Sequence, residues 1–135
     1  MIKKVHHIAI AVSDLDAALK TLKDCFGIEA TSVEEVPSQK VKVGFVPLGD
    51  TRLELVQPTS EESTTAKFIA TRGEGLHHIA FGTDDAAADL KKVETAGGRL
   101  IDKEPRPGAH GTMVGFVHPK STFGTLIELV EEHKC

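Results

Sequence analysis

Two histidines and two glutamates recur at matched positions in the chain, and their side chains are of types that bind divalent metal ions. His7 lies in the segment Val-His-His-Ile-Ala, and His78 lies in Leu-His-His-Ile-Ala 71 residues later. Glu54 and Glu128 each precede Leu-Val. Neutral imidazole nitrogens and carboxylate oxygens are ligands that first-row divalent metals accept. The four residues therefore predict one metal site, provided that the fold brings them together.

The rest of the chain indicates an internal duplication. Several residues of the first half recur at the spacing of the two histidines, among them Asp14, Ala17, Leu19, Lys20 and Gly27. Val-Gly-Phe-Val at 43–46 recurs at 114–117, and an insertion near Lys120 to Phe123 then lengthens the spacing. A repeat of this extent indicates two copies of one structural unit. Two copies packed around a pseudo-twofold axis would let the paired residues converge on one ion and leave positions open for water or substrate.

Each of these four residues also has an ordinary structural explanation when it is taken singly. A lone histidine on a strand is more often packed or exposed than ligating. Glu54 lies between two leucines, which is typical of the solvent face of an amphipathic strand. Two features favour a metal site: the repeated positions hold ligand types, and both histidines share a strand face with small residues, which is expected to leave space above the sheet.

The hydrophobic periodicity predicts that each copy is a βαβββ module. The first is expected to have a strand, a helix and three strands, at residues 5–12, 14–26, 31–36, 39–48 and 51–56. The second is expected to have the same elements, at residues 77–82, 85–96, 99–101, 112–118 and 125–130. Ser13 is the expected N-cap of the first helix, Gly27 its end, and Phe26 part of its apolar stripe.

These elements make one domain of residues 1–135. Its first module spans residues 1–58, a connecting helix lies within 59–75, from Ser60 to Arg72, and the second module spans 76–135. A chain of 135 residues is large enough to bury a core, and its composition is typical of a globular protein.

Composition limits the classes of partner. The net charge is −4, no run of Lys and Arg occurs, and Trp and Tyr are absent, so we expect no nucleic acid partner. No apolar run reaches the length of a signal peptide or a membrane span, so we expect no membrane partner.

The two cysteines do not suggest a disulfide framework. Cys25 is expected as an apolar helix residue, and Cys135 is a terminal thiol. We therefore expect a cytoplasmic location.

The other histidines are expected to have structural positions. His6 and His77 alternate onto the strand face opposite the candidate ligands, where they would be packed residues or partners of the ligands. His118 begins a turn, and His133 is expected in solvent. His110 lies in the loop Gly-Ala-His-Gly, from which it could reach a site or be incidental.

The chain resembles the vicinal oxygen chelate superfamily and, within it, the methylmalonyl-CoA epimerase family. The likeness covers nearly the whole chain and is carried by 41–58, 76–81, 108–111, 118–121 and 124–129, including His-Pro-Lys-Ser at 118–121. It implies an α+β fold of two tandem βαβββ modules, of the glyoxalase/bleomycin-resistance/dioxygenase type, that form a half-barrel around a metal site.

The resemblance also implies a ligand set and a cofactor. The positions that match the family's metal ligands are His7, Glu54, His78 and Glu128. The implied cofactor is one divalent ion, with cobalt favoured over manganese, nickel, zinc or iron. The implied assembly is a homodimer, and the implied partner is a small acyl-CoA substrate.

Two of the carboxylates are the implied catalytic residues. Glu128 is the first candidate for a base, and Glu54 is the second because Val43 occupies the position at which some epimerases have a glutamate. His110 is a weaker candidate for a substrate contact. Lys120 and Ser121 could contact the coenzyme A portion or form a solvated turn.

The implied reaction is a 1,1-proton transfer that interconverts (R)- and (S)-methylmalonyl-CoA through a metal-stabilised enolate. A glyoxalase I-type lactoylglutathione lyase would use the same ligands, and only the loop segments favour the epimerase. A non-catalytic small-molecule-binding protein of the same fold would not need four ligands. A ring-cleaving dioxygenase would typically use two histidines and one carboxylate, so Glu54 argues against it.

Overall fold

The computed structural model describes residues 1–132, which contain eight strands and three helices. The strands are β1 Ile2–Ala11, β2 Ser32–Val36, β3 Val41–Leu48, β4 Thr51–Pro58, β5 Gly75–Thr83, β6 Arg106–Pro107, β7 Met113–Val117 and β8 Leu126–Glu131. The helices are α1 Leu15–Phe26, α2 Thr64–Arg72 and α3 Ala86–Thr95. The predicted α+β fold of two successive βαβββ copies is confirmed. His133, expected in solvent, and Cys135, expected as a terminal thiol, lie outside the described residues.

The chain forms two compact units, and β1 contributes to both. The unit of residues 8–77 has the strand order β2-β3-β4-β1, in which β4 is antiparallel to β3 and parallel to β1. The unit formed by residues 1–7 and the chain from 78 onward has the order β1-β5-β8-β7-β6, in which β8 is parallel to β5 and antiparallel to β7. Among the described helices, none combines the length and apolar character needed to cross a membrane.

Each unit has its own hydrophobic core between a helix and a sheet face. In the unit of residues 8–77, Ile10 of β1 and Val12, which follows that strand, pack with Leu15 of α1 and Leu55 of β4. In the other unit, Leu90 of α3 packs against a group of strand residues, which are Ile79, Phe81, Val117, Ile127 and Leu129. Ile10 of β1, and Ile79 and Phe81 of β5, therefore face these cores.

The start of α1 lies one residue beyond its predicted cap. The carboxylate of Asp14, not the hydroxyl of Ser13, accepts the hydrogen bond from the backbone N–H of Ala17. Gly27 ends the helix in the left-handed conformation, as predicted, with φ 68°. Phe26, predicted on the buried stripe, is 68% exposed because it is the last helical residue, beyond the cluster around Leu15. Its neighbour Cys25 is also exposed, contrary to its expected apolar role.

Two other predicted elements differ in the structure. The connecting helix begins at Thr64, because Ser63 and not Ser60 caps it. The strand predicted at 99–101 is a single bridge from Leu100 to Val117. The carboxylate of Asp102 accepts the N–H of Phe116, which takes that donor from a regular ladder, and the short β6 forms instead inside the predicted loop.

A glycine in β7 allows α3 to pack closely on its sheet. A Cβ atom added at Gly115 would lie 2.7 Å from Cδ1 of Leu90, which is fully buried. In the other unit, Gly44 is the repeat of Gly115, and a Cβ atom added there would lie 3.3 Å from Cδ2 of Leu19. The glycine and leucine of each copy therefore set the distance between helix and sheet.

We expect Leu90→Ala to lower the free energy of unfolding by about 2–5 kcal/mol, because it leaves a cavity over Gly115. Urea unfolding followed by circular dichroism measures this change, since the chain has no Trp or Tyr for fluorescence. Leu76→Ala, at a position that is 52% exposed, is the control and should change the free energy by about 0.5 kcal/mol or less. Equal effects of the two substitutions would contradict this account of the core.

Candidate metal and active site

The strand register explains why His78 and Glu128 meet. Ala80 lies two residues after His78 in β5, on the same strand face, and Glu128 of β8 is its partner in the register. The methyl group of Ala80 leaves room for the two longer side chains. Ala80 itself is fully buried, so this face is packed and not open as its small residues had suggested.

The side chains of His7, His78 and Glu128 meet in one buried cluster. Oε1 of Glu128 lies 3.0 Å from Nε2 of His7 and 3.0 Å from Nε2 of His78. The two Nε2 atoms are 3.2 Å apart. All three residues are more than nine-tenths buried. The structure thus brings together three of the four residues predicted as ligands, all within the unit that contains β5 and β8.

These three atoms fit a metal ion better than a closed hydrogen-bonded cluster. Oε1 of Glu128 has no partner of hydrogen-bond geometry among the described residues, although it is buried between two imidazoles. Ligand atoms about 2.1 Å from an ion lie about 3.0 Å apart along an octahedral edge and about 3.4 Å apart along a tetrahedral one. The observed separations of 3.0 to 3.2 Å fit one face of an octahedron. Such a face leaves three positions open.

The charge of Glu128 is set by its neighbours. Burial raises the pKa of its carboxyl, but the imidazoles of His7 and His78 lower the pKa by more. The net result is a pKa held well below the usual range of a glutamate. Glu128 is therefore ionised at neutral pH, which is the form that binds metal.

Aromatic packing orients the ring of His78. The ring of Phe116 meets it edge to face, with centroids 5.5 Å apart, and Phe116 is also the register partner of Glu128. The guanidinium carbon of Arg106 lies 5.6 Å from the Phe116 ring centre. Phe116 was not among the predicted site residues. Its repetition as Phe45 in Val-Gly-Phe-Val was the signal that could have found it.

Glu54 lies in the unit of residues 8–77 and has different surroundings. It is buried in β4, where its register partners are Ala9 of β1 and Phe45 of β3. Nε of Arg52 donates to its Oε2 at 2.9 Å. Arg52 was not among the predicted site residues, and Leu126 occupies the equivalent position in the second copy. The two repeated glutamates therefore have different partners, and the role of Glu54 as a ligand stays a prediction.

The weaker substrate candidates lie on exposed turns outside the buried cluster. His110 has a left-handed backbone, with φ 56°, in its glycine-flanked loop. The N–H of Lys120 donates to Nδ1 of His118 at 3.0 Å, so His118 is a turn residue as predicted. Oγ of Ser121 accepts the N–H of Arg99 at 2.7 Å. A role in substrate binding stays a prediction for these residues.

Two histidines predicted as structural are buried or packed. The ring of His77 meets that of Phe68 in α2 edge to face, with centroids 4.9 Å apart. His6 is buried, and its Nδ1 lies 2.7 Å from Nδ1 of His7. His6 is thus a partner of a candidate ligand, which was one of its two expected roles, although alternation along the strand predicts that adjacent side chains point apart.

Comparison with known proteins identifies the family. The model described as Glyoxalase/Bleomycin resistance protein/Dioxygenase superfamily matches residues 6–116. The chain belongs to this superfamily. Its members bind a divalent metal ion, and the cluster of His7, His78 and Glu128 consists of ligand types for such an ion.

Similar members of the superfamily include several epimerases. The ethylmalonyl-CoA/methylmalonyl-CoA epimerase of Cereibacter sphaeroides is 38% identical over 131 residues, which cover 96% of this chain and 98% of that protein. The mitochondrial methylmalonyl-CoA epimerase of Homo sapiens is 38% identical, with coverage of 93% and 72%. A solved methylmalonyl-CoA epimerase in complex with methylmalonyl-CoA and NH4+ has a TM-score of 0.91 at 37% identity, with coverage of 98% and 96%. Two proteins named as lactoylglutathione lyases are less similar, at 28% identity.

We expect Glu128 to make the metal-free protein sensitive to acid. Its pKa is lower in the folded chain than the ordinary value of 4.5, so its stabilisation is fully present above about pH 4.5 and is lost as the pH falls further. Urea unfolding in the presence of a chelator, at several pH values from about 7 to about 3, measures this loss. Glu128→Gln should show a shallower loss, whereas Glu94→Gln, at an exposed position, should keep the wild-type slope. Equal slopes for all three proteins would contradict the assignment.

Proposed function

We propose that the protein is a methylmalonyl-CoA epimerase and that the cluster of His7, His78 and Glu128 is its active centre. The observation that carries the proposal is the buried triangle of two imidazole nitrogens and one carboxylate oxygen, with sides of 3.0 to 3.2 Å. Its occurrence in a chain that matches epimerases along nearly all of its length supports this substrate class.

In this proposal, the three residues hold one divalent ion, and Glu54 is the fourth ligand. The role of Glu54 as a ligand is supported by its carboxylate side chain, its burial and its position as the repeat of Glu128. Cobalt is the metal that the resemblance favours. When bound, a divalent ion supplies Lewis-acid stabilisation of the negative charge that develops on the thioester oxygen.

The protein side chains then move a proton at the carbon between the thioester and the carboxylate of the substrate. Inversion requires that the proton is removed on one face and delivered on the other, which suits two carboxylates. Glu128 is ionised and can accept the proton, but its low pKa makes it a weak base. Proton removal therefore depends on the acidity that the carbon gains from enolate stabilisation. Val43, at the position where some epimerases have a glutamate, is apolar and buried and cannot act as a base. We therefore propose Glu54 as the second base.

A lactoylglutathione lyase could use the same cluster, but the lower identity of the lyases makes it the less supported reaction. A non-catalytic binding protein would not need three buried ligand atoms in contact. A homodimer, which the resemblance supports, and a cytoplasmic location, which the cysteine pattern supports, complete the proposal. The expected acyl-CoA substrate follows from the epimerase reaction itself.

We expect the metal-loaded protein to incorporate deuterium from D2O at the α-carbon of methylmalonyl-CoA, as measured by mass spectrometry. A chelator should stop the uptake. Glu128→Gln should slow it by about 100-fold or more, because the proton acceptor is lost. Glu94→Gln is the matched control, since it removes an exposed carboxylate that lies 3.6 Å from Lys91. No uptake with any of the metals named above would rule out the epimerase, and a glutathione hemithioacetal would then be tested.

We expect Glu54→Gln to separate exchange from epimerisation. A protein with one remaining base should still exchange the α-proton of one enantiomer with solvent, but its conversion to the other enantiomer should fall by about 100-fold or more. Each pure enantiomer is incubated in D2O, and deuterium content and chirality are followed together. Equal loss of exchange for both enantiomers, with weaker metal binding, would show that Glu54 acts only as a ligand. Unchanged rates of exchange and conversion would remove Glu54 from the site.

A further inference from the structure

Hydrogen-bond distances connect the candidate metal ligand His7 to the surface of its unit through a second histidine. Nδ1 of His7 lies 2.7 Å from Nδ1 of His6. On the other side of the same ring, Nε2 of His6 lies 2.7 Å from Oε1 of Glu132. His6 is buried, whereas the side chain of Glu132 is 57% exposed. The three residues thus form a chain from solvent to the buried cluster.

The direction of each hydrogen bond follows from which nitrogen must be free for a metal. Nε2 of His7 is the atom beside Glu128 and His78, so it must carry the lone pair. A neutral imidazole has one N–H, so Nδ1 of His7 holds the proton and donates it to Nδ1 of His6. His6 then carries its own proton on Nε2 and donates it to Glu132. These directions are inferred from the heavy-atom positions.

We propose that Glu132 and His6 are positioning residues that hold His7 in its metal-binding tautomer and ring orientation. This inference rests on the metal site of the proposed function. A ligating histidine typically donates its second N–H to an acceptor, which fixes the ring and raises the basicity of the ligating nitrogen. Here the acceptor is another histidine, and the final acceptor is the carboxylate of Glu132, which directly follows Glu131, the last residue of β8.

The packing around His6 supports a fixed position for its ring. The rings of His6 and His7 are nearly perpendicular, at 74°, with centroids 5.0 Å apart. Gly82 of β5 leaves room beside them, because a Cβ atom there would lie 3.6 Å from Cβ of His6 and 3.3 Å from Cγ of Lys4. Nζ of Lys4 is 3.9 Å from Oε1 of Glu132, and both side chains are largely exposed, so this ion pair adds little.

The repeat of His6 in the second copy is His77, and its ring packs edge to face against that of Phe68. The ring of His6 instead packs against that of His7, with the two rings at 74°. The two repeated histidines therefore have different aromatic neighbours.

Cobalt binding to the metal-free protein tests the inference without any assay of activity. Isothermal titration calorimetry with Co2+ is compared for the wild type, Glu132→Ala, His6→Phe and the double variant. We expect an affinity loss of about tenfold for Glu132→Ala and about 100-fold for His6→Phe. Because Glu132 acts through His6, the double variant should lose about 100-fold and not about 1,000-fold. Glu94→Ala, which removes an exposed glutamate elsewhere in the same unit, should bind as the wild type does.

Two further measurements separate positioning from a structural role. His6→Gln, which keeps a side-chain acceptor for Nδ1–H of His7, should recover part of the affinity lost in His6→Phe. The visible absorption of bound Co2+ should change in His6→Phe, since the orientation of one ligand changes. If His6→Phe does not fold, the exposed Glu132→Ala variant carries the test, and a wild-type affinity in that variant would overturn the inference.

The outcomes distinguish this inference from the proposed metal site. If the wild type does not bind Co2+, or if binding survives His78→Ala, the metal site itself is wrong and the inference falls with it. If binding requires His78 but is unchanged in both His6→Phe and Glu132→Ala, only the positioning role is overturned. Additive losses in the double variant would also overturn it, because Glu132 would then not act through His6.

Discussion

The contact of the Glu128 carboxylate with two imidazoles is the interaction on which the candidate site depends. A buried carboxylate is costly unless neighbouring groups compensate its charge, and here the compensating groups are His7 and His78. Their approach requires that three strands, β1, β5 and β8, present these side chains on one face in the correct register. Ala80 makes this register usable, because a larger residue opposite Glu128 would fill the space that the imidazole and carboxylate groups occupy.

The duplication supplied equivalent residues, and later divergence gave them unequal surroundings. Glu54 pairs with Arg52, whereas Glu128 meets two histidines. The counterpart of Arg52 is Leu126, which lies two residues before Glu128 on the same strand face. An arginine at position 126 would compete with the imidazoles for the Glu128 carboxylate. Its absence leaves Oε1 of Glu128 available for a ligand, and so the second copy contributes more to the cluster than the first.

The sequence pattern predicted the features that depend on hydrophobic periodicity. It did not predict those in which side chains take hydrogen bonds from the backbone or contact one another. The alternation around His78, together with the repeat, predicted that four residues converge, and three of them, His7, His78 and Glu128, meet within one unit. It did not predict the bridge at Leu100, because the Asp102 side chain takes the N–H of Phe116. It also placed His6 and His7 on opposite faces, whereas the side-chain rotamers bring their Nδ1 atoms together. Rotamers and side-chain hydrogen bonds depend on packing around the residue, which a single sequence does not specify.

The charge balance at the proposed metal site explains why Glu132, which lies outside the cluster, is suited to position a ligand for the proposed reaction. In the proposed function, Glu128 and Glu54 together balance the charge of a divalent ion, and the two histidines are neutral. A third carboxylate on the ion would give the site a net negative charge, which opposes binding of an anionic acyl-CoA and its enolate, and would occupy a position that the substrate needs. Glu132 lies outside the cluster and reaches His7 only through His6. It can therefore raise the basicity of one ligand and fix its ring while leaving the open coordination positions to the substrate.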